Sequence, residues 1–176
     1  MGKYIEYKDK DCVMLIEILM HSRIYFLICE RGGLMSEFII ALHVLVFLAH
    51  DKNSRSSEEL SENLCTNPVR IRKVMSKCRK SGLVVTKAGV NGGYMIARDG
   101  KDINLKEIYE AIGVPIIESK WHSGDIESSC LIASGMSQYV DELFLNLNEE
   151  VINILELISL DAVEKRLQEI KEKKEK

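Results

Sequence analysis

The chain has 176 residues, 46% of them apolar, which allows one domain with a core and an appended element but is too short for two full domains. A net charge of -3 and a pI near 5.9 exclude a uniformly basic nucleic-acid coat, so affinity for a polyanion has to come from charge segregated along the chain. Five cysteines (Cys12, Cys29, Cys65, Cys78, Cys130) contain no Cys-x-x-Cys pair, which argues against a disulfide framework or a zinc finger and points to a cytoplasmic protein.

Val13 to Cys29 is largely apolar, but His21, Ser22 and Arg23 interrupt it, so neither a transmembrane span nor a signal peptide fits and no membrane partner is expected. Residues 1–34 read either as a docked amphipathic helix or, preferably, as an over-extended start. Arg31-Gly32-Gly33 can be encoded by a purine-rich run resembling a ribosome-binding site just before Met35, and the segment is assigned no function.

Ser36 to His50 is apolar on most sides, which predicts a helix buried in a small helical core; His43 and His50 are read as core or surface residues. Ser56-Ser57-Glu58-Glu59 forms a capping box and starts the next helix, over about Ser57 to Leu64. After Cys65-Thr66, Asn67 can cap a third helix with Pro68 at its first position. Ile71, Val74, Met75 and Cys78 give that helix an inward stripe, Arg70, Lys73, Lys77 and Lys80 fall on the other side, and Ser81-Gly82 ends it.

Two helices joined by a tight turn, the second capped and basic, are the pattern of a helix-turn-helix. A basic stripe alone would read as a solvated face. The next segment decides: Leu83-Val84-Val85-Thr86, a glycine-rich turn from Ala88 to Gly93, and Tyr94-Met95-Ile96-Ala97 predict a hairpin wing. That turn lacks a Gly-Lys-Ser/Thr ending and leads into a strand, so it is not a phosphate-cradling loop. From Asn67 to Arg98 lie eight basic residues and no acidic one, a basic island in an acidic protein. The fold class is therefore mainly α with a small β-hairpin wing: a winged helix-turn-helix over roughly Phe38 to Ala97, followed by a long C-terminal dimerisation helix.

Asn104 can cap a helix through Ile112 whose stripe of Leu105, Ile108 and Ile112 would pack under the wing. Ile116 to Ser134 reads as irregular and polar. Met136 to Ile158 is the longest helical pattern, with Met136, Val140, Leu143, Leu147, Val151, Ile154 and Ile158 in one stripe. So apolar a helix needs a second chain to cover it, which predicts a homodimer. Ser159-Leu160-Asp161 restarts a short last helix, followed by a frayed charged tail.

The run Thr66-Asn67-Pro68-Val69-Arg70-Ile71-Arg72-Lys73, with Lys80-Ser81-Gly82-Leu83-Val84, Gly89-Val90-Asn91-Gly92-Gly93-Tyr94 and Ile158-Ser159-Leu160-Asp161, resembles the Rrf-two family of winged-helix bacterial regulators. The resemblance covers about Met35 to Val163. It implies a dimer held by the long helix, recognition helices in successive major grooves, wings in the minor groove, and usually repression.

On that reading Asn67, Val69, Arg70 and Lys73 reach base edges, Thr66 and the helix amino terminus meet phosphate, and Lys77, Arg79 and Lys80 meet backbone phosphate or solvent. The wing contributes Lys87 and the backbone of Gly89 to Gly93, Gly92 included; the family usually has arginine where Ala88 stands. Cluster-binding relatives carry three cysteines before the long helix, whereas this chain has Cys130 alone, with His122 and Asp125 as poor substitutes. No iron–sulfur cluster, metal or other cofactor is expected. Cys130 is read first as a small packing residue and second as a thiol sensor, and Cys65 and Cys78 as helix-packing residues.

The chain divides into a 1–34 extension, a 35–113 winged helix-turn-helix, a 114–135 loop that could sense, a 136–163 dimerisation helix with a short final helix, and a 164–176 tail. The expected function is a sequence-specific DNA-binding transcription regulator, a repressor acting on a double-stranded operator. The alternative is a winged helix used for protein contact without DNA. No nucleophile–base pair, paired carboxylates or metal spacing suggests an enzyme.

Overall fold

The computed structural model describes residues 35–89, 92–113, 115–119 and 121–175. The readings of residues 1–34, including Cys12 and Cys29, and of Val90 and Asn91 at the wing tip lie outside the described residues. Six helices and one hairpin follow in order: α1 (Met35–Asp51), α2 (Ser57–Asn63), α3 (Pro68–Lys80), β1 (Val84–Lys87), β2 (Gly93–Ile96), a 3-10 turn (Gly100–Asp102), α4 (Leu105–Ile112), α5 (Leu131–Glu156) and α6 (Leu160–Lys174). The unit they build runs from Glu37 to Lys176.

The helix ends form where local chemistry places them. Ser56 accepts from the Glu59 amide at 3.2 Å while the Glu59 carboxylate accepts from the Ser56 amide at 2.8 Å, completing the capping box of α2. Asn67 Oδ1 accepts from the Val69 amide at 2.7 Å, and Pro68 occupies the first turn of α3. Both helices end in paired reverse bonds: Thr66 N to Ser61 O and Cys65 N to Glu62 O after α2, Leu83 N to Cys78 O and Gly82 N to Arg79 O after α3. That motif needs one left-handed residue, supplied by Cys65 at φ 50° and Gly82 at φ 72°. Cys65 is thus not the packing residue expected from its place between two helices. It is exposed in the turn, whereas Cys78 is buried as expected.

Ala41, Val44, Leu45 and Leu48 of α1, Leu60 of α2, the Ile71-Val74-Met75-Cys78 stripe, Leu83, Val84 and Ile108 of α4 are buried together. At roughly 1.5–3 kcal/mol per large apolar side chain this core closes the winged helix on itself. α4 packs against α3 on one side and α5 on the other.

Three boundaries differ from the sequence reading. The long helix begins at Leu131, five residues before Met136. Gly135 and the serines beside it read as loop, yet a glycine inside a helix costs only about 1 kcal/mol. The preceding loop also folds back on the first turn, with Asp125 N donating to Ala133 O at 3.0 Å. At its other end α5 stops at Glu156, and Ile158 leaves the stripe for the core: its carbonyl accepts from Leu105 N at 2.9 Å, and Leu160 N donates to Ile103 O at 3.0 Å. The expected frayed tail is instead helical to Lys174, because Leu160, Val163, Leu167 and Ile170 continue a helical spacing through the charges.

The hairpin pairs Val84 with Ile96, Val85 with Met95, Thr86 with Tyr94 and Lys87 with Gly93. A third short edge adds to it, because Arg55 and Tyr94 exchange both backbone bonds, at 3.0 and 2.8 Å. The Arg55 guanidinium meanwhile holds Asp51 through two bonds and Glu59 through a third. Gly93 makes the close approach possible: at φ 155°, a Cβ there would lie 2.2 Å from the Arg55 carbonyl oxygen. Gly93→Ala is therefore expected to cost roughly 1–3 kcal/mol. The cost should show as a lower thermal midpoint with faster amide exchange at Arg55 and Tyr94; an unchanged midpoint and exchange rate would refute it.

Candidate nucleic-acid interface

The outward face of α3 follows from helical spacing opposite the buried stripe, and runs through Val69, Arg72, Lys73, Ser76 and Lys80, all exposed. Val69 is 61% exposed at the first turn, an apolar side chain left in water. Arg70 is exposed beside it, and Asn67 stands at the tip with its Oδ1 used by the cap. Thr66 is half-buried in the turn. Ser76 was absent from the residues picked by charge, although its spacing of seven from Val69 marks it as central to this face.

The basic island divides in the folded chain. At least four of its eight cations are spent on carboxylates: Arg72 on Glu58 at 3.0 Å, Lys73 and Lys77 on Glu37 at 2.6 and 2.8 Å, and Arg98 on Glu107. Lys77 Nζ also donates to Ile112 O at 2.8 Å, near the carboxy end of α4. Hydrogen bonds from Lys73 and then Lys77 hold the Glu37 carboxyl below its usual range against the opposing effect of burial. Among the described residues no carboxylate pairs with Arg79, Lys80 or Lys87, and all three are exposed.

On the wing, Lys87 ends β1 opposite Gly93. Gly92 N donates to Gly89 O at 2.9 Å, so that amide is used by the turn. A Cβ on Gly92 would sit 2.4 Å from the Lys87 carbonyl oxygen, which is why glycine stands there.

The segment between α4 and α5 is pinned to the long helix. Asn148 accepts from the Ile116 and Ile117 amides at 3.1 and 3.0 Å and donates to Ile117 O at 2.7 Å, using both ends of its amide. His122 faces Asp141 of α5 at 3.7 Å, and Asp125 accepts from the Glu127 amide. Among the described residues no three His, Cys, Asp or Glu side chains gather as a metal site. Cys65 lies in the helix-turn-helix turn, Cys78 is buried with its thiol pushed up to about 12 by desolvation, and Cys130 caps α5, so these cysteines do not fit a shared cluster.

Cys130 is exposed at the amino end of α5. The amides of Ala133 and Ile132 draw its thiol below the usual value, although neither completes a capping hydrogen bond.

A helix-turn-helix carrying a hairpin wing, with a cationic outer edge, defines a winged-helix DNA-binding protein. The sequence matches the profile of the Rrf2 family, described as iron-dependent transcriptional regulators, over residues 34–166. The chain belongs to the Rrf2 family and is a DNA-binding transcription regulator. It is 28% identical over 128 residues to YwnA of Bacillus subtilis, a candidate HTH-type transcriptional regulator, covering 73% of this chain and 94% of that one. A Lactobacillus plantarum chain solved as a candidate transcriptional regulator matches with a TM-score of 0.64 at 26% identity, over 75% of this chain and 89% of that one. CymR, the global cysteine regulator of Bacillus subtilis, shares the fold, with a TM-score of 0.55 at 17% identity over 74% and 94% of the two chains. Among the described residues no helix is long and apolar enough to cross a membrane.

The lowered Cys130 thiol has a measurable sign: a larger thiolate fraction at any pH below its ordinary value. In native protein treated with iodoacetamide, Cys130 should reach half its maximal rate below pH 9.0, with Cys78 unmodified. Mass spectrometry across pH reads this, and protection of Cys130 relative to Cys78 would contradict it.

Proposed function

We propose that the protein is a homodimeric repressor that reads its operator with Asn67, Val69, Arg70 and Ser76 in the major groove, while Lys80 and the wing's Lys87 hold it by phosphate. The observation that carries the reading is the exposed first turn of α3. It presents an apolar Val69 suited to a thymine methyl and an adjacent Arg70 suited to guanine, on a helix whose opposite side is locked in the core. Arg79, Lys80 and Lys87 serve phosphate. Lys73 and Lys77, expected from their charge to contact DNA, are reassigned to holding the helix, since both ammonium groups are bonded to Glu37. Repression rests on the family resemblance, and a rise in transcripts beside the operator on loss of the protein checks it.

The same reading includes operator binding without an iron–sulfur cluster. Supporting it is the scatter of Cys65, Cys78 and Cys130 over three separate elements, with His122 and Asp125 engaged elsewhere. Fragments retained by anaerobically purified protein are expected to converge on one palindromic motif, with no stoichiometric iron or sulfide in the protein. On the recovered duplex, Arg70→Ala should lose roughly 1–3 kcal/mol of discrimination at one base pair. Lys80→Ala should weaken every sequence alike and lower the salt slope by about 1. Identical behaviour of the two variants would sink the division of roles, and iron lost together with Cys130→Ala would sink the cluster-free reading.

The dimer is supported by α5, whose 26 residues include none that is buried. Tyr139 is 63% exposed, and Leu143 and Leu147 are 40% exposed each, along one self-complementary stripe. In the proposed dimer the two α3 helices are expected to enter successive major grooves, which lie about 34 Å apart. Light scattering at micromolar concentration should give twice the chain mass, and Leu143→Glu with Leu147→Glu should give the single mass; a dimer persisting in that variant would place the interface elsewhere.

A further inference from the structure

Glu37 is a carboxylate taken out of water, 7% exposed on the first turn of α1. Such groups persist when paired and hydrogen-bonded. Each of its oxygens receives one ammonium from α3: Oε1 from Lys73 at 2.6 Å and Oε2 from Lys77 at 2.8 Å. Lys77 carries the link onward to the Ile112 carbonyl of α4 at 2.8 Å. One carboxylate thus joins the helix that carries the candidate base contacts to the two helices flanking it. The two lysines are four residues apart, so the bonds grip successive turns of α3 and resist rotation as well as tilt.

The other side of α3 is held by the stripe of Ile71, Val74, Met75 and Cys78. Apolar burial is non-directional, so alone it sets the helix's rotation less sharply than charged hydrogen bonds do. Side-chain ends lie about 5 Å from a helix axis, so a roughly 20° rotation moves them about 2 Å, beyond the tolerance of a base hydrogen bond. Lys73 remains 68% exposed along its side chain and Lys77 33%, so both stems lie near the surface that faces a polyanion.

We propose that Glu37 is a positioning residue for sequence recognition: by engaging Lys73 and Lys77 it fixes the rotation of α3 and withholds two cations from phosphate, raising base discrimination at the expense of non-specific affinity. The inference rests on the DNA-reading function assigned above to α3. It separates Glu37 from an ordinary stabilising residue. Loss of a merely stabilising group lowers affinity for every duplex, whereas loss of Glu37 acts oppositely on specific and non-specific DNA.

The test uses the full chain, with the recovered operator duplex and a scrambled duplex of the same composition, titrated by fluorescence anisotropy across a salt series. Glu37→Gln is expected to bind the scrambled duplex as well as or better than the unaltered protein, with a salt slope steeper by about 1 for each released lysine that reaches phosphate. The operator-over-scrambled ratio should fall about tenfold or more, the scale of one lost base contact. Adding Arg70→Ala should then cost less discrimination than it does alone, since the contact is already misplaced. An unchanged ratio would overturn the proposal, as would equal losses on both duplexes that add to those of Arg70→Ala. If circular dichroism shows Glu37→Gln unfolded, Lys77→Met, which keeps the Glu37–Lys73 bond, decides instead: the ratio should fall without loss of scrambled affinity, and an unchanged ratio overturns the proposal. If the unaltered protein does not distinguish the two duplexes, the reading of α3 as a base reader fails, and that outcome is separate from any effect of Glu37.

Discussion

The orientation of α3 is the constraint on which the rest of the DNA-binding unit depends, and two interactions of different kinds impose it. An apolar stripe draws the helix against α2 and α4, and the Glu37 carboxylate of α1 takes one hydrogen bond from each of two lysines. A buried ion pair adds little net stability, because desolvation cancels much of the attraction. Its contribution is direction: the carboxylate accepts from both lysines only where they meet it, whereas apolar burial is itself non-directional. The same arrangement explains why Lys73 and Lys77 of the basic island are bonded to a carboxylate of the protein.

Around that helix the apolar surface is distributed unevenly. The winged helix closes its own core, with Leu45, Leu48, Leu60, Ile71, Met75, Leu83 and Ile108 removed from water. The long helix α5 has no buried residue and lies against α4 and the Ile116–Ile117 segment held by Asn148. Ile158 and Leu160, just beyond it, return the chain to the core through backbone bonds to Leu105 and Ile103. α4 touches both α5, the helix assigned above to the proposed dimer, and, through the Lys77–Ile112 bond, the DNA-facing α3.

The segment from Ile116 to Cys130 has a different relation to the family than the DNA-binding unit has. The family's description is iron-dependent, yet the cysteines described here are scattered: one in a turn, one in the core, one at a helix cap. The segment is ordered instead by backbone recognition, through the Asn148 amide at one end and the Asp125–Ala133 bond at the other. Cys130 sits exposed at the amino end of α5, where the amides of Ala133 and Ile132 draw its thiol below its ordinary value.

The sequence by itself determined the elements whose signals are local. The Ser56–Glu59 capping box, Asn67 before Pro68, Gly82 after α3 and Gly92 in the wing turn act within a few residues, and each lies where the pattern put it. The basic island and the helix-turn-helix with its wing were legible for the same reason. Tertiary structure decided what each charge does. Glu37 meets Lys73 and Lys77 across 36 and 40 residues, and Arg55 joins the wing through backbone atoms that carry no side-chain signature. The start of α5 at Leu131 belongs with these, since a returning loop contacts its first turn through Ala133 beside a glycine that local propensity disfavours. Periodicity shows which face of a helix is polar. Which of its cations are neutralised by other elements is set only when those elements pack, because a charge–charge contact depends on distance in space and leaves no period in the chain.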